Sequence, residues 1–108
     1  MNFEQLLKKQ GGFTLNLING KAPTTGYVVA VSKDSEHVMD PERTDVNMEI
    51  DDYIMTWQPE WIGGWMYQGR AYIDAVEVFD GLDAAIDAAR ERDQLAIFDV
   101  ETGEVIDL

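Results

Sequence analysis

Hydrophobic and polar positions change period several times along this chain, and each change marks an element. Asn2 stands before FEQLLKKQ with Gln5 three residues on, the spacing of a capping box, and Gly11 and Gly12 follow as a stop. A two-turn helix is expected over Phe3–Gln10. FTLNLI alternates Phe13, Leu15 and Leu17 against Thr14, Asn16 and Ile18; Asn19-Gly20 marks a turn, and YVVAVS (Tyr27–Ser32) is β-branched and apolar. These two runs read as a hairpin with a loop through Lys21–Gly26. KDSEHVMDPE reads as a polar connection.

From Val46 the period lengthens. Val46, Ile50, Tyr53, Ile54 and Trp57 fall within about 100° of one another on a helical wheel, so an amphipathic helix is expected that ends before Pro59. WIGGWMY, Gln68-Gly69 and RAYIDAVEVF read as a second hairpin, with Trp65 and Tyr67 facing Tyr72 and Ile73. Asp80 is placed to cap a helix over Gly81–Arg92, with Leu82, Ala85, Ile86 and Ala89 as its buried stripe and Asp83 and Asp87 outside. LAIFDV, ETGE and VIDL form a third hairpin around Thr102-Gly103, where glycine supplies a positive φ at low cost. The order α-β-β-α-β-β-α-β-β predicts one α+β domain, an antiparallel sheet built from hairpins with about three helices packed on it.

The 108 residues suffice for one core and are too few for two ordinary domains, so a single domain is expected over residues 1–108. With 45% hydrophobic and 27% charged residues, the composition is that of a globular protein. There is no cysteine, which excludes disulfides, thiolate metal sites and a cysteine nucleophile. The apolar run in MNFEQLLKKQGG is too short for a signal peptide or a membrane span, and a cytoplasmic location in a host cell is expected.

Charge changes the picture most. The net charge is −13, and all of it falls after residue 40. Residues 1–40 balance four acids with four lysines, whereas the rest carries seventeen acids against Arg43, Arg70, Arg90 and Arg92. Such a field repels nucleic acid and anionic membranes and attracts basic surfaces, so neither is an expected direct partner. The stretch DVNMEIDDYIMTWQPEW (45–61) has five acids among Met, Ile, Tyr and Trp, and no basic residue.

Enzyme chemistry finds little to work with. His37 beside Asp40 and Glu42 falls short of a zinc site, and DPERTDVNMEID lacks the glycine and the closing glutamate of a calcium loop. Asp74 and Glu77 near Trp65 have the residue types of a glycosidase pair, but one alternating strand with surface acids explains them equally well. Gly63-Gly64 lacks the Lys-Ser/Thr of a phosphate loop and reads as a bulge or a close backbone approach. A single histidine leaves no triad. No catalytic residue, metal or cofactor is expected.

The acidic helix is the exception. Asp45, Glu49 and Asp52 fall within about 80° of each other, with Glu42 adjoining, nearly opposite the apolar face. Carboxylates four residues apart are about 6 Å apart along the axis, near the spacing of neighbouring backbone phosphates. A solvated face of a helix usually has mixed sign; here the sign is uniform, which is unfavourable through self-repulsion. The row reads either as a phosphate mimic or as an acidic surface without that use.

GGWMYQGRAYIDAVEVFDGLDAAIDAARERDQLAIFDVETGEVIDL, with GGFTLNLINGKAPTTGYVVAVS, resembles small acidic accessory proteins of phages and conjugative elements. The resemblance runs from about Gly11 to Leu108 in the order Gly-Gly, GYVVAV, GGW, AYID and AIFDVETGE, and carries no catalytic signature. It implies an inhibitor of a host defence nuclease, of anti-CRISPR or anti-restriction type, whose partner is a protein with a basic nucleic-acid-binding surface. The candidate contact residues are Glu42, Asp45, Glu49, Asp51, Asp52, Trp57, Glu60, Trp61, Asp83 and Asp87, with the acidic faces of the two longer helices expected to join in one surface. The alternative is a non-enzymatic interaction module that binds a mobile element's own replication or mobilisation protein.

Overall fold

The computed structural model describes residues 2–108. Helix α1, Phe3–Gln10, starts where the Asn2 side chain accepts the Gln5 N–H at 3.1 Å. It stops where Gly11, at φ 75°, donates its N–H to Leu7 O at 2.9 Å. Strand β1, Gly12–Asn16, ends because the Asn16 carboxamide accepts the N–H groups of Ile18 at 2.8 Å and Asn19 at 3.2 Å, turning the chain. Strand β2 is Tyr27–Ala30.

The hairpin expected between β1 and β2 does not form. The turn at Gly20 is present, but β1 lies beside Trp61–Tyr67 (β4) and β2 beside Arg70–Phe79 (β5). A turn signal is local, whereas strand choice is decided by how side chains fit across the ladder. Phe13 lies opposite Gly64, the one residue type that leaves room for its ring, and Leu15 lies opposite the fully buried Ile62.

The polar connection is also more ordered than expected. It holds a short 3-10 helix, Lys33–Ser35, and strand β3, His37–Met39, which pairs with β5 and buries Met39. Helix α2, Val46–Trp57, is capped by Asp45, whose side chain accepts the Met48 N–H at 3.2 Å, and closes at Gln58 in the left-handed region just before Pro59. β4 and β5 form the expected hairpin, with Gln68 at φ 50° and Gly69 at φ 78°, the two positive values of a type I′ turn. Trp65 lies opposite Tyr72 as expected; Ile73 lies opposite Gly64 and faces the other way, into the core.

Helix α3 is Leu82–Glu91, shorter than expected at both ends. Gly81 is the N-cap and no side chain caps the helix; Asp80 stands one residue too early. Its buried stripe is Ala85, Ala88 and Ala89 with Ile86 partly covered, while Leu82, in the first turn beyond the edge of the core, is exposed. β6, Ala96–Asp99, and β7, Glu104–Asp107, form the third hairpin, with Gly103 at φ 74°.

The seven strands make one antiparallel sheet in the order β1-β4-β5-β2-β6-β7, with β3 sharing the β2 side of β5. Its radius of gyration, 13.2 Å, is what one domain of this length gives. The chain is thus a single α+β domain. Residues opposite each other in the register share a face, which sorts the whole sheet. On one face Phe13, Leu15, Ile62, Ala71, Ile73 and Ala75 meet Phe3 and Leu7 of α1 and Val46, Ile50 and Tyr53 of α2. On that same face Val29 and Ile97 meet Ala85 and Ala89 of α3. Full burial of side chains such as Ile50 or Ile73 contributes roughly 1.5–3 kcal/mol each. Among the described residues, α1, α2 and α3 therefore cover one face, and the opposite face has no helix.

Candidate interaction site

Two surfaces offer chemistry. The first lies along α2. Glu49, Asp52, Thr56 and Trp57 line a shallow cavity of about 360 Å³ with His37 of β3 and Tyr53. His37 Nε2 is 3.4 Å from Glu49 Oε2, and the Trp57 indole stacks on the Tyr53 ring at 6.1 Å between centroids. Among the described residues, no Lys or Arg lies within ion-pair distance of Asp45, Asp51, Asp52 or Glu60; the four ion pairs that Lys and Arg make are with Glu4, Asp40, Glu77 and Asp93.

The residues singled out from the sequence divide between these places. Glu49, Asp52 and Trp57 come together in the α2 cavity. Asp45 is exposed but employed as the helix cap, and Asp51 is exposed on α2. Glu42 lies in the turn before α2, its N–H on Asp40 Oδ1 at 3.0 Å. Glu60 is exposed and extends the β1 ladder by accepting the Leu17 N–H at 2.8 Å, while Trp61 begins β4 half-buried on the helix-free face, opposite Asn16 and Val76. Asp83 and Asp87 are exposed on α3, which belongs to the other core cluster. Two cations sit at the far end of that helix, where Lys33 meets Asp93 at 3.4 Å and Arg92 meets Glu77 at 2.6 Å while its guanidinium lies 5.7 Å over the Phe79 ring. The acidic faces of α2 and α3 thus belong to two separately packed helices.

The second surface is the helix-free face of the sheet. It forms a trough of about 560 Å³, floored by Gly63, Val76 and Val28 and walled by Trp65 and Tyr72 at one side and Phe98 and Val105 at the other. Trp65, 51% exposed, stacks on Tyr67 with centroids 5.5 Å apart and tilts against Tyr72 at the same separation. Val28 and Val76 are buried here without any helix above them.

Asp74 stands on the floor of this trough, opposite Gly63, which has no side chain to cover it. Burial pushes its carboxyl up to about 6; a hydrogen bond with the Ser35 hydroxyl opposes that rise and the neighbouring Glu36 carboxylate adds to it. Glu77 faces the other side of the sheet, so Asp74 and Glu77 are not a catalytic pair. The trough escaped the sequence reading, although its signal was present. In AYIDAVEV both alternating sets, Ala71/Ile73/Ala75 and Tyr72/Val76/Val78, are mainly apolar, with Glu77 ending the first and Asp74 interrupting the second.

Among the described residues, no group of three or more His, Cys, Asp or Glu is placed to hold a metal ion, and no helix is long and apolar enough to cross a membrane. No protein-family model matches the chain, and no curated protein or solved structure matches it either.

Proposed function

We propose that this protein is a non-enzymatic inhibitor of a host defence nuclease, of anti-CRISPR or anti-restriction type, acting in the cytoplasm of the host cell. It binds the nuclease's basic, nucleic-acid-binding surface and leaves nucleic acid no room there. The observation that carries this reading is the row of α2 carboxylates, Asp45, Glu49 and Asp52, with Asp51 beside it, in a stretch between Arg43 and Arg70 that has no cation of its own. Among the described residues, apart from Glu49, which His37 Nε2 approaches at 3.4 Å, the row has no cationic side chain against it and is available to a partner's lysines and arginines. Complementary charge raises the association rate, and the exposed Trp57 edge supplies an aromatic anchor next to it.

The test is capture of the partner from host lysate on the immobilised protein, with and without added DNA or RNA. Displacement by nucleic acid, together with affinity that falls steeply with salt, supports occlusion. A partner that stays bound in competing nucleic acid at high salt overturns it. The helix-free trough favours a second reading, an interaction module that holds a replication or mobilisation protein of a mobile element through an apolar contact.

A further inference from the structure

We propose that the trough on the helix-free face of the sheet is a docking site for an extended segment of a partner protein in which a lysine or arginine stands between apolar residues. The cation seats on Asp74 and Glu36, beside the Trp65 and Tyr72 rings, and the apolar neighbours lie on Val28, Val76 and Phe98.

The trough dimensions suit this occupant. A volume of about 560 Å³ is that of a ligand site rather than of a packing defect, and Val28 and Val76 give its floor an apolar surface beside Asp74. Two carboxylates line it and no lysine or arginine does, so a cation is the complementary charge. Aromatic faces hold such a cation further, through the ring quadrupole. Asp74 is half-buried and lines the trough, and Gly63 opposite it has no side chain to stand over the carboxyl.

Other occupants fit less well. Nucleic acid and anionic lipid bring phosphate against Asp74 and Glu36. A second copy of this chain brings another −13 and only eight basic residues of its own. A basic protein segment meets both the charge and the apolar floor.

The groups facing Asp74 set its response to pH. They are Ser35 and Glu36 from the segment before β3, and the Tyr53 hydroxyl behind the sheet; β4 presents Gly63 and no charge. Asp74 is mostly ionised at pH 7.5 and mostly neutral at pH 5, so docking weakens on acidification.

The experiment is titration of the ¹⁵N-labelled full chain with the peptide Ac-LKLRL-NH2, against Ac-LELEL-NH2 and N-acetyl-arginine amide as controls. The basic peptide is expected to shift the amides of Gly63, Gly64, Trp65, Tyr72 and Asp74, and to bind about tenfold more weakly to Asp74→Asn, the loss of one charged hydrogen bond. The same weakening is expected for wild type at pH 5. Should Asp74→Asn fail to fold, Glu36→Gln and the wild-type pH series carry the test. Binding to a variant with Asp45, Glu49 and Asp52 neutralised stays at the wild-type level, which separates this site from the α2 row. The proposal is overturned by shifts centred on α2 or spread over the whole acidic surface, by equal binding of the acidic peptide, by an arginine amide that binds as well as the peptide, or by no shift in the trough.

Discussion

The Tyr53 hydroxyl accepts the backbone N–H of Ala75 at 2.6 Å and in turn donates to the Ser35 carbonyl at 2.6 Å. It fills a break in the sheet. β2 pairs with β5 as far as Ala30 opposite Val76, and β3 takes up only at His37 opposite Ile73, so the Ala75 N–H would face a gap with no carbonyl in it. A side chain from α2 completes the ladder there, and its burial pushes the phenol up to about 12.

Tyr53→Phe is therefore expected to destabilise the protein by about 1–3 kcal/mol, since it leaves the buried Ala75 N–H and the Ser35 carbonyl without their partner. Urea unfolding of the two proteins measures it. A variant as stable as wild type would show that water or a shift of β3 takes the place of the hydroxyl.

Asp74 makes the fold sensitive to pH through proton counting. The Ser35 hydroxyl has one proton and two oxygen neighbours, Ser32 O at 2.8 Å and Asp74 Oδ1. The hydroxyl can give that proton to an ionised Asp74, which favours the charged form, or to Ser32 O; burial outweighs that hydrogen bond and favours the neutral carboxyl. Its folded value, about 6, lies above the ordinary 3.8, so the native state holds the extra proton between those limits and stability falls as pH rises from about 4 to 6. Asp74→Asn supplies an N–H donor at every pH. Its melting temperature is expected to match or trail wild type near pH 4 and exceed it at pH 7.5; a difference that does not change with pH argues against this network.

Gly64 and Gly69 should respond differently to alanine. A Cβ at Gly64 would come within 2.5 Å of the Phe13 ring and 3.0 Å of Ile73, inside the core, so overpacking of about 1–3 kcal/mol is expected. Gly69 has open space around it, and its cost, about 1 kcal/mol, comes from φ 78° alone. Replacing Gly69 by Asn, which tolerates that φ, should recover most of the loss, whereas no larger residue rescues position 64. Thermal melts of the three variants distinguish the two causes.

Along α2, charge and stability should separate. Asp45→Asn keeps a cap of equal quality, and Glu49→Gln with Asp52→Asn removes like charges at the cost of the half-exposed His37–Glu49 contact, so the triple variant is expected to be about as stable as wild type. Trp57, 43% exposed and stacked on Tyr53, lies outside the core, and Trp57→Ala should cost well under the roughly 3–5 kcal/mol of a buried tryptophan. Loss of more than that would mean that the indole holds α2 in place.

Local periodicity made most elements legible. α1 with its Asn2 cap, α2 ending before Pro59, and the hairpins around Gly69 and Gly103 stand where their caps and turn residues place them. Pairing between distant strands was not legible. Nothing near FTLNLI states that its partner is WIGGWMY; the reason is that Gly64 makes room for Phe13, a relation between residues far apart in the chain. The trough stayed hidden for the same cause. Its walls, Trp65, Tyr72, Phe98 and Val105, belong to four strands that only the assembled sheet brings to one face, whereas the α2 row lies on one helix and its spacing is readable directly.

β5 occupies a position with a consequence for how the chain is made. It pairs with β2, β3 and β4, and β1 has no ladder until β4 is present. A chain emerging from the ribosome has therefore produced α1, β1, β2, β3 and α2 before either central strand is available to any of them. The β4–β5 hairpin closes across the two-residue turn Gln68-Gly69 in its own neighbourhood, and the earlier segments are expected to settle on it. Until Phe79 has left the exit tunnel, the apolar runs at Phe13–Ile18 and Tyr27–Ser32 wait unpaired, and that interval is when a nascent chain of this protein is most exposed to chaperones and to aggregation.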